Sequence, residues 1–161
     1  MKRINRFLFG TFVSIAVISA GYGNVEAKEQ IVNKRLDRQI EIVNKIIPND
    51  DAKRCRKFEK TFKEYGLPVE IFSYIAWRES RCNPKAINAK FKNGKIVWTL
   101  NKNGTYDSGL VQINSSWRTL TKQTCGSSNL QVLFDVHCNL KVAKFLLEQT
   151  TGGLNNWGFG V

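Results

Sequence analysis

The sequence predicts an α+β domain: a mainly helical body interrupted by a small antiparallel β-lobe of three strands, with a cleft between the two parts. Two patterns carry this expectation. Apolar side chains recur at helical spacing in four separate stretches. Between the third and fourth, the dipeptides Asn93-Gly94 and Asn103-Gly104 interrupt an alternating segment as hairpin turns do.

The N-terminus reads differently from the rest. Lys2, Arg3 and Arg6 precede an apolar run from Phe7 to Ala20, and Val25-Glu26-Ala27 puts small residues at both recognition positions of a signal peptidase. Residues 1–27 are therefore expected to be a secretory signal peptide. The alternative is an uncleaved membrane anchor, for which the run is short of the roughly 20 residues that span a bilayer comfortably. No later segment is long and apolar enough to span. Residues 28–51 form an N-terminal amphipathic helix and linker. Ile31, Leu36, Ile40, Val43 and Ile47 place the helix at about 29–47, and the pattern leaves open whether it docks or projects.

The domain proper is assigned to residues 52–161. Pro48-Asn49-Asp50-Asp51 ends the first helix and caps the next, whose face is Cys55, Phe58, Phe62 and Tyr65 and which stops at Gly66. Pro68 opens a third helix, with Ile71, Phe72, Ile75 and Ala76 inward, ending near Arg81. Three strands follow at about 89–92, 95–100 and 105–113. After Trp117 and a Cys125-Gly126-Ser127-Ser128 loop, Asp135 caps a helix to about Leu147, stopped by Gly152-Gly153.

Composition narrows the partners. The chain carries 25 Lys and Arg against 13 Asp and Glu, a net charge of +12. That excess favours a polyanionic partner. Nucleic acid is not expected, because no zinc-finger spacing or aromatic RNA-binding signature is present; an anionic cell-wall polymer or membrane surface suits an exported protein better. Cys55, Cys82, Cys125 and Cys138 all lie beyond the leader and imply two disulfides. Of three pairings, Cys55–Cys82 with Cys125–Cys138 is favoured, since each bond then ties neighbouring helices or a helix to its approach loop. With His137 as the single histidine, no metal site and no cofactor are expected.

Two short stretches carry the chemistry. In Arg78-Glu79-Ser80-Arg81-Cys82-Asn83-Pro84, one carboxylate ends an apolar helical run. Helix-end carbonyls and the apolar Ile75-Ala76-Trp77 would disfavour its charged form, as a general acid requires. Pairing of Glu79 with Arg78 or Arg81 would do the opposite, and the helix alone does not decide. In Asp107-Ser108-Gly109-Leu110-Val111-Gln112-Ile113-Asn114, a second carboxylate heads a strand. Gln112 and Asn114 would share one face with Leu110, while Val111 and Ile113 point to the core. A carboxyl pair with amides that grip hydroxyl and acetamido groups is what acid cleavage of a sugar chain needs. The plainer readings are that Asp107 bonds its own turn at Gly109 and that the two amides serve only the lobe. Trp98 and Trp117 can stack on sugar faces or simply pack, and His137 reads as structural.

These residues resemble a known family. Glu79 to Asn88, Asn103 to Asn114, and Leu133-Phe134-Asp135 with Cys138-Asn139 look like the soluble lytic transglycosylases of the lysozyme-like superfamily. The small members that accompany secretion and conjugation systems, and related phage enzymes, are most similar. The resemblance covers roughly Phe62 to Leu147. It implies a lysozyme-like fold for 52–161, with Glu79 as acid/base, Ser80 steadying the site, and Gln112 and Asn114 holding glycan. Tyr106 to Asn114 with Trp117 also resembles animal-type lysozymes, which implies Asp107 as second catalytic carboxylate and places Tyr106 and Trp117 among the substrate-binding residues. After a Trp such as Trp157 the family continues into an Ala-Tyr-Asn-x-Gly segment whose tyrosine lines the cleft; here Gly158-Phe159-Gly160-Val161 follows, so that part of the substrate wall is missing, is supplied by Phe159 or Tyr106, or comes from a partner.

The resemblance implies a peptidoglycan-cleaving lytic transglycosylase acting on the β-1,4 bond between N-acetylmuramic acid and N-acetylglucosamine. It would be exported to the periplasm or outside the cell, or carried on a virion, and would serve a secretion, conjugation or virion assembly. The alternatives are a lysozyme hydrolysing the same bond, a non-catalytic wall-binding or assembly protein, and a cationic membrane-disrupting protein.

Overall fold

The computed structural model describes residues 19–161 of the 161-residue chain. The expected signal peptide lies for the most part outside the described residues. Helix α1 (Ser19–Ile46) runs through Ala27 and starts about ten residues before the amphipathic pattern does. Residues 19–31 belong to one unit and Val32–Val161 form a second, which contains the core and the cleft. Among the described residues no helix is long and apolar enough to cross a membrane.

Within the second unit α1 docks. Val43 is fully buried, and Leu36, Ile40 and Ile47 pack against the core. The buried Gln39 donates from Nε2 to the carbonyls of Gly152 (3.3 Å) and Val161 (3.0 Å), and its Oε1 accepts from the Leu154 amide (3.0 Å). Arg35 adds a bond to the Thr150 carbonyl (2.8 Å). The segment after the last helix is therefore held by a helix more than a hundred residues away, through backbone groups that α1's side chains satisfy.

Helix α2 (Glu59–Glu64) follows two 3-10 turns, Asp51–Lys53 and Arg56–Phe58. Helix α3 (Val69–Ser80) is the centre of the body. Ile71, Phe72, Ile75 and Ala76 are fully buried, two adjacent positions per turn, so α3 is enclosed on a broad face rather than a narrow stripe. It ends in a left-handed cap at Arg81 (φ 53°), with the Cys82 amide returning to the Ala76 carbonyl. The Cys55–Cys82 disulfide closes just beyond that cap, with Cα atoms 5.5 Å apart. Buried Ser73 seconds it, accepting from the Cys55 amide and donating to Glu59. The end of α3 is thus fixed from both sides.

The β-lobe departs from the three-stranded expectation. Strands β1 (Ala89–Lys92) and β2 (Lys95–Thr99) form one two-stranded antiparallel sheet around the Asn93-Gly94 turn, with Val97 as an extra residue between the Lys90–Trp98 and Phe91–Ile96 pairs. In place of a third strand over 105–113, β3 (Asp107–Ser108) pairs with β4 (Ile113–Asn114) in a second small sheet. The reason lies between them. Gly109 (φ 84°) and Gln112 (φ 51°) both take left-handed backbone, and the Gln112 amide bonds the Gly109 carbonyl, so the chain reverses where alternation suggested it ran straight. Leu110, Val111 and Ile113 are all buried, and Leu110 does not share an exposed face with the amides.

Helix α4 (Arg118–Cys125) was not expected, since Thr119-Leu120-Thr121-Lys122-Gln123-Thr124 offers one large apolar residue and no period. Helix α5 (Val136–Gln149) has the expected Asp135 cap, which accepts from the Cys138 amide. Cys125–Cys138 joins α4 to α5 with Cα atoms 5.7 Å apart, so both expected disulfides are present. The Tyr65 hydroxyl lies 3.0 Å from His137 Nδ1. Burial, with Asp135 and Glu64 nearby, raises the Tyr65 phenol above its ordinary value, and the contact gives His137 a structural partner.

Gln39→Ala removes three bonds and leaves the buried Leu154 amide without an acceptor. It is expected to cost about 1–3 kcal/mol, read as a lower urea midpoint at unchanged slope.

Candidate active site

A cleft of about 300 Å³ lies against β3, β4 and the Gly153–Trp157 turn, with Asn101, Asp107, Gln112, Asn114, Trp117 and Trp157 among its lining. Four of the expected site residues are brought together here: Asp107, Gln112, Asn114 and Trp117.

Asp107 is held by other side chains, not by its own turn. Its Oδ2 accepts from Asn88 Nδ2 (2.7 Å) and Asn101 Nδ2 (2.8 Å), and its Oδ1 accepts from Asn114 Nδ2 (2.7 Å). Its backbone amide donates to Asn88 Oδ1 (2.6 Å). Short bonds to a carboxylate are the strong class, and three of them fix both oxygens without a neighbouring cation. Asn114 has no amide group to spare: its Nδ2 also reaches Thr105 Oγ1 and its Oδ1 caps the following turn at Ser116. Gln112 is different. Its Nε2 holds the carbonyls of Ala86 (3.1 Å) and Gly109 (2.8 Å), while its Oε1 accepts no bond among the described residues. Its left-handed φ is uncommon for a residue with a side chain, and such positions concentrate at working sites.

Glu79 stands in the last turn of α3, half-buried, and is not among the side chains that line the cleft. The ion pair left open by the sequence forms. Arg78 donates from Nε (2.9 Å) and Nη2 (2.7 Å) to Glu79 Oε1, and Nη2 also bonds the Trp157 carbonyl on the cleft wall. The Arg78 guanidinium lies 4.7 Å from the Phe159 ring centre and 5.7 Å from that of Tyr74. Glu79 Oε2 accepts no bond among the described residues.

Ser80 is buried and acts inward. Its Oγ lies 2.7 Å from the Leu110 carbonyl and 2.9 Å from that of Ala76, tying α3 to the 109–112 reversal. Tyr106 is also buried, edge-on to Phe91 at 5.4 Å, and lines a separate groove of about 780 Å³ beneath the β1–β2 hairpin. Neither is among the side chains that line the cleft. Phe159 lies under Arg78 and not on the wall.

Three residues for which the sequence suggested no role complete the site. Asn88 and Asn101 hold Asp107; each is one polar residue among many in a turn-rich stretch. Asn139, fully buried on α5, donates to the Ser108 carbonyl (3.1 Å) and accepts from the Val111 amide (3.0 Å).

A helical body, a small β-lobe and a carboxylate-bearing cleft edge define the lysozyme-like class. The model of the transglycosylase SLT domain matches residues 56–161, and the chain belongs to that family, whose members are lytic transglycosylases acting on peptidoglycan. No curated protein matches the chain.

Asn88→Ala takes two bonds from Asp107. It is expected to lower turnover of purified cell walls by about tenfold, on the scale of one or two lost hydrogen bonds of about 1 kcal/mol each. In Asp107→Asn the same change should add little, which a double-mutant cycle reads directly.

Proposed function

We propose that the protein is an exported lytic transglycosylase that cleaves the β-1,4 bond between N-acetylmuramic acid and N-acetylglucosamine, with Glu79 as acid and then base. The observation that carries this is the contrast between the two carboxylates. Glu79 keeps one oxygen free, whereas both oxygens of Asp107 are occupied by amides from Asn88, Asn101 and Asn114. A carboxyl that must give and take a proton needs the first arrangement. A fixed negative charge near a cationic transition state suits the second.

The steps balance without a second acid. Glu79 Oε2 delivers its proton to the glycosidic oxygen, the bond to C1 of the muramoyl residue breaks, and positive charge develops at that carbon. The Glu79 carboxylate then takes the proton from the substrate's own 6-hydroxyl, whose oxygen closes on C1 to give a 1,6-anhydro end. Arg78 on Oε1 holds the side chain in place and leaves Oε2 as the oxygen that exchanges the proton. Gln112 Oε1 is placed to accept from an acetamido N–H or a hydroxyl, and Trp117 offers a face for a sugar ring.

The lysozyme reading shares the acid but needs water as acceptor, with Asp107 as a nucleophile or close ion-pair partner. The saturated Asp107 oxygens favour the first reading. The leader and wall polymer support export of residues 28–161, with 28–51 as an accessory helix. Service to a secretion, conjugation or virion assembly rests on the resemblance alone. A non-catalytic wall-binding role would leave the free Glu79 oxygen without a task.

Glu79→Gln is expected to lose about 10²–10⁴-fold in wall cleavage with an unchanged melting temperature, because an amide delivers no proton. Activity within a few-fold of the parent removes Glu79 from the mechanism.

Asp107→Asn should show a clear but smaller loss, with anhydro ends in the muropeptides that mass spectrometry resolves. Reducing ends from the parent protein, together with an inactive Asp107→Asn, would make it a hydrolase instead.

A further inference from the structure

The β1–β2 hairpin has no role in the cleft, and its surface is unlike the rest of the second unit. Of nine exposed large apolar side chains among the described residues, five lie on or just after it: Phe91 (45% exposed), Ile96 (44%), Val97 (59%), Trp98 (49%) and Leu100 (66%). Scattered exposed apolar residues are ordinary, but a run of this kind marks a contact surface. The same stretch carries Lys90, Lys92, Lys95 and Lys102, and no Asp or Glu occurs between Ala86 and Tyr106.

Geometry chooses among the surfaces that such a patch fits. Phe91 and Ile96 pair across the strands and face the groove beneath, whereas Trp98 pairs with Lys90, whose ammonium lies 5.7 Å from the indole centre. Trp98 thus lies on the face of Lys90 and Ile96 on the opposite face with Phe91, with the unpaired Val97 between them. The hairpin is therefore apolar on both faces, and the exposed Asn93-Gly94 turn forms its tip. A lipid interface takes up the exposed parts of Ile96, Val97 and Trp98 while lysine stems reach anionic headgroups, a charge match for a stretch that carries lysines and no acidic residue.

We propose that this hairpin docks the protein on an anionic lipid bilayer, with Trp98, Val97 and Ile96 at the acyl boundary and Lys90, Lys92 and Lys95 on the headgroups. The inference does not depend on the catalytic reading. It places the cleft beside a membrane surface and assigns the basic excess of this lobe to lipid.

The test uses the full chain with phosphatidylcholine vesicles, with and without phosphatidylglycerol as anionic component. Lys90→Gln, Lys92→Gln and Lys95→Gln together should reduce partition into anionic vesicles by about 100-fold, since each lysine near such a surface is worth roughly a factor of five. Any contribution from the Phe7–Ala20 run is common to parent and variant and cancels. Vesicles with brominated acyl chains should quench the Trp98 emission, read as the difference between the parent and Trp98→Phe. Equal partition of parent and triple variant overturns the proposal. So does binding to anionic vesicles with Trp98 unquenched, which would assign the patch to the headgroups or to an acidic macromolecule instead. The melting temperature of the triple variant, and its turnover of soluble glycan, report folding and catalysis separately from docking.

Discussion

Most of the site depends on one buried amide. Asn139 presents its side chain to a reversal of the chain that cannot satisfy itself: Ser108 offers a carbonyl and Val111 an amide, and each finds its partner on α5. The two join Asn139 across about thirty residues of sequence in a fully buried setting, where an unpaired backbone group costs most. Gly109 is required there for a second reason. A Cβ would collide with the Asn139 amide and the Leu133 carbonyl, on a backbone already at φ 84°. Ser80 from α3 and the Trp157 indole, which donates to the Val111 carbonyl at 2.9 Å, close the same reversal from two other directions. The helical body thus sets where the β-lobe begins, and Asp107 and Gln112 are placed by that setting.

How far the sequence discloses this differs from element to element. Helices α3 and α5 were legible because burial of a wide face imposes a period, and their caps at Pro68 and Asp135 left recognisable residues. Both disulfides followed from compartment and neighbourhood. The third strand failed because Val111 and Ile113 against Gln112 and Asn114 is an alternation that a tight reversal also satisfies. When every apolar residue of a turn is buried, period two loses its meaning. Helix α4 failed for the opposite reason: its burial falls on Leu120 and Thr121, and the disulfide at its end does work that a hydrophobic stripe would otherwise do.

The candidate site shows the same limit at the level of side chains. Glu79 and Asp107 stand out in the sequence because motifs carry chemically scarce residues. Their surroundings do not, because amides that hold a carboxylate look like any polar turn. Asn88, Asn101 and Asn114 approach Asp107 from three segments and share it with Thr105, which bonds both Asn101 and Asn114. Such a network is rigid because each member is oriented by another. Tyr106, just before β3, packs its ring edge-on against Phe91.

Glu79 is governed by the other end of the chain. Arg78 connects it to the Trp157 carbonyl and lies between Tyr74 and Phe159, while the segment carrying Trp157 and Phe159 is itself gripped by Gln39 of α1. The ion pair is local in sequence, but its geometry is tertiary. Arg78 cannot swing away from Glu79 without giving up a carbonyl and an aromatic face, and those losses depend on how firmly α1 holds the last ten residues. The helix read as an accessory is therefore mechanically upstream of the proposed acid. Gln39 on α1, which has no place in the cleft, therefore helps to fix the segment against which the Arg78–Glu79 pair rests.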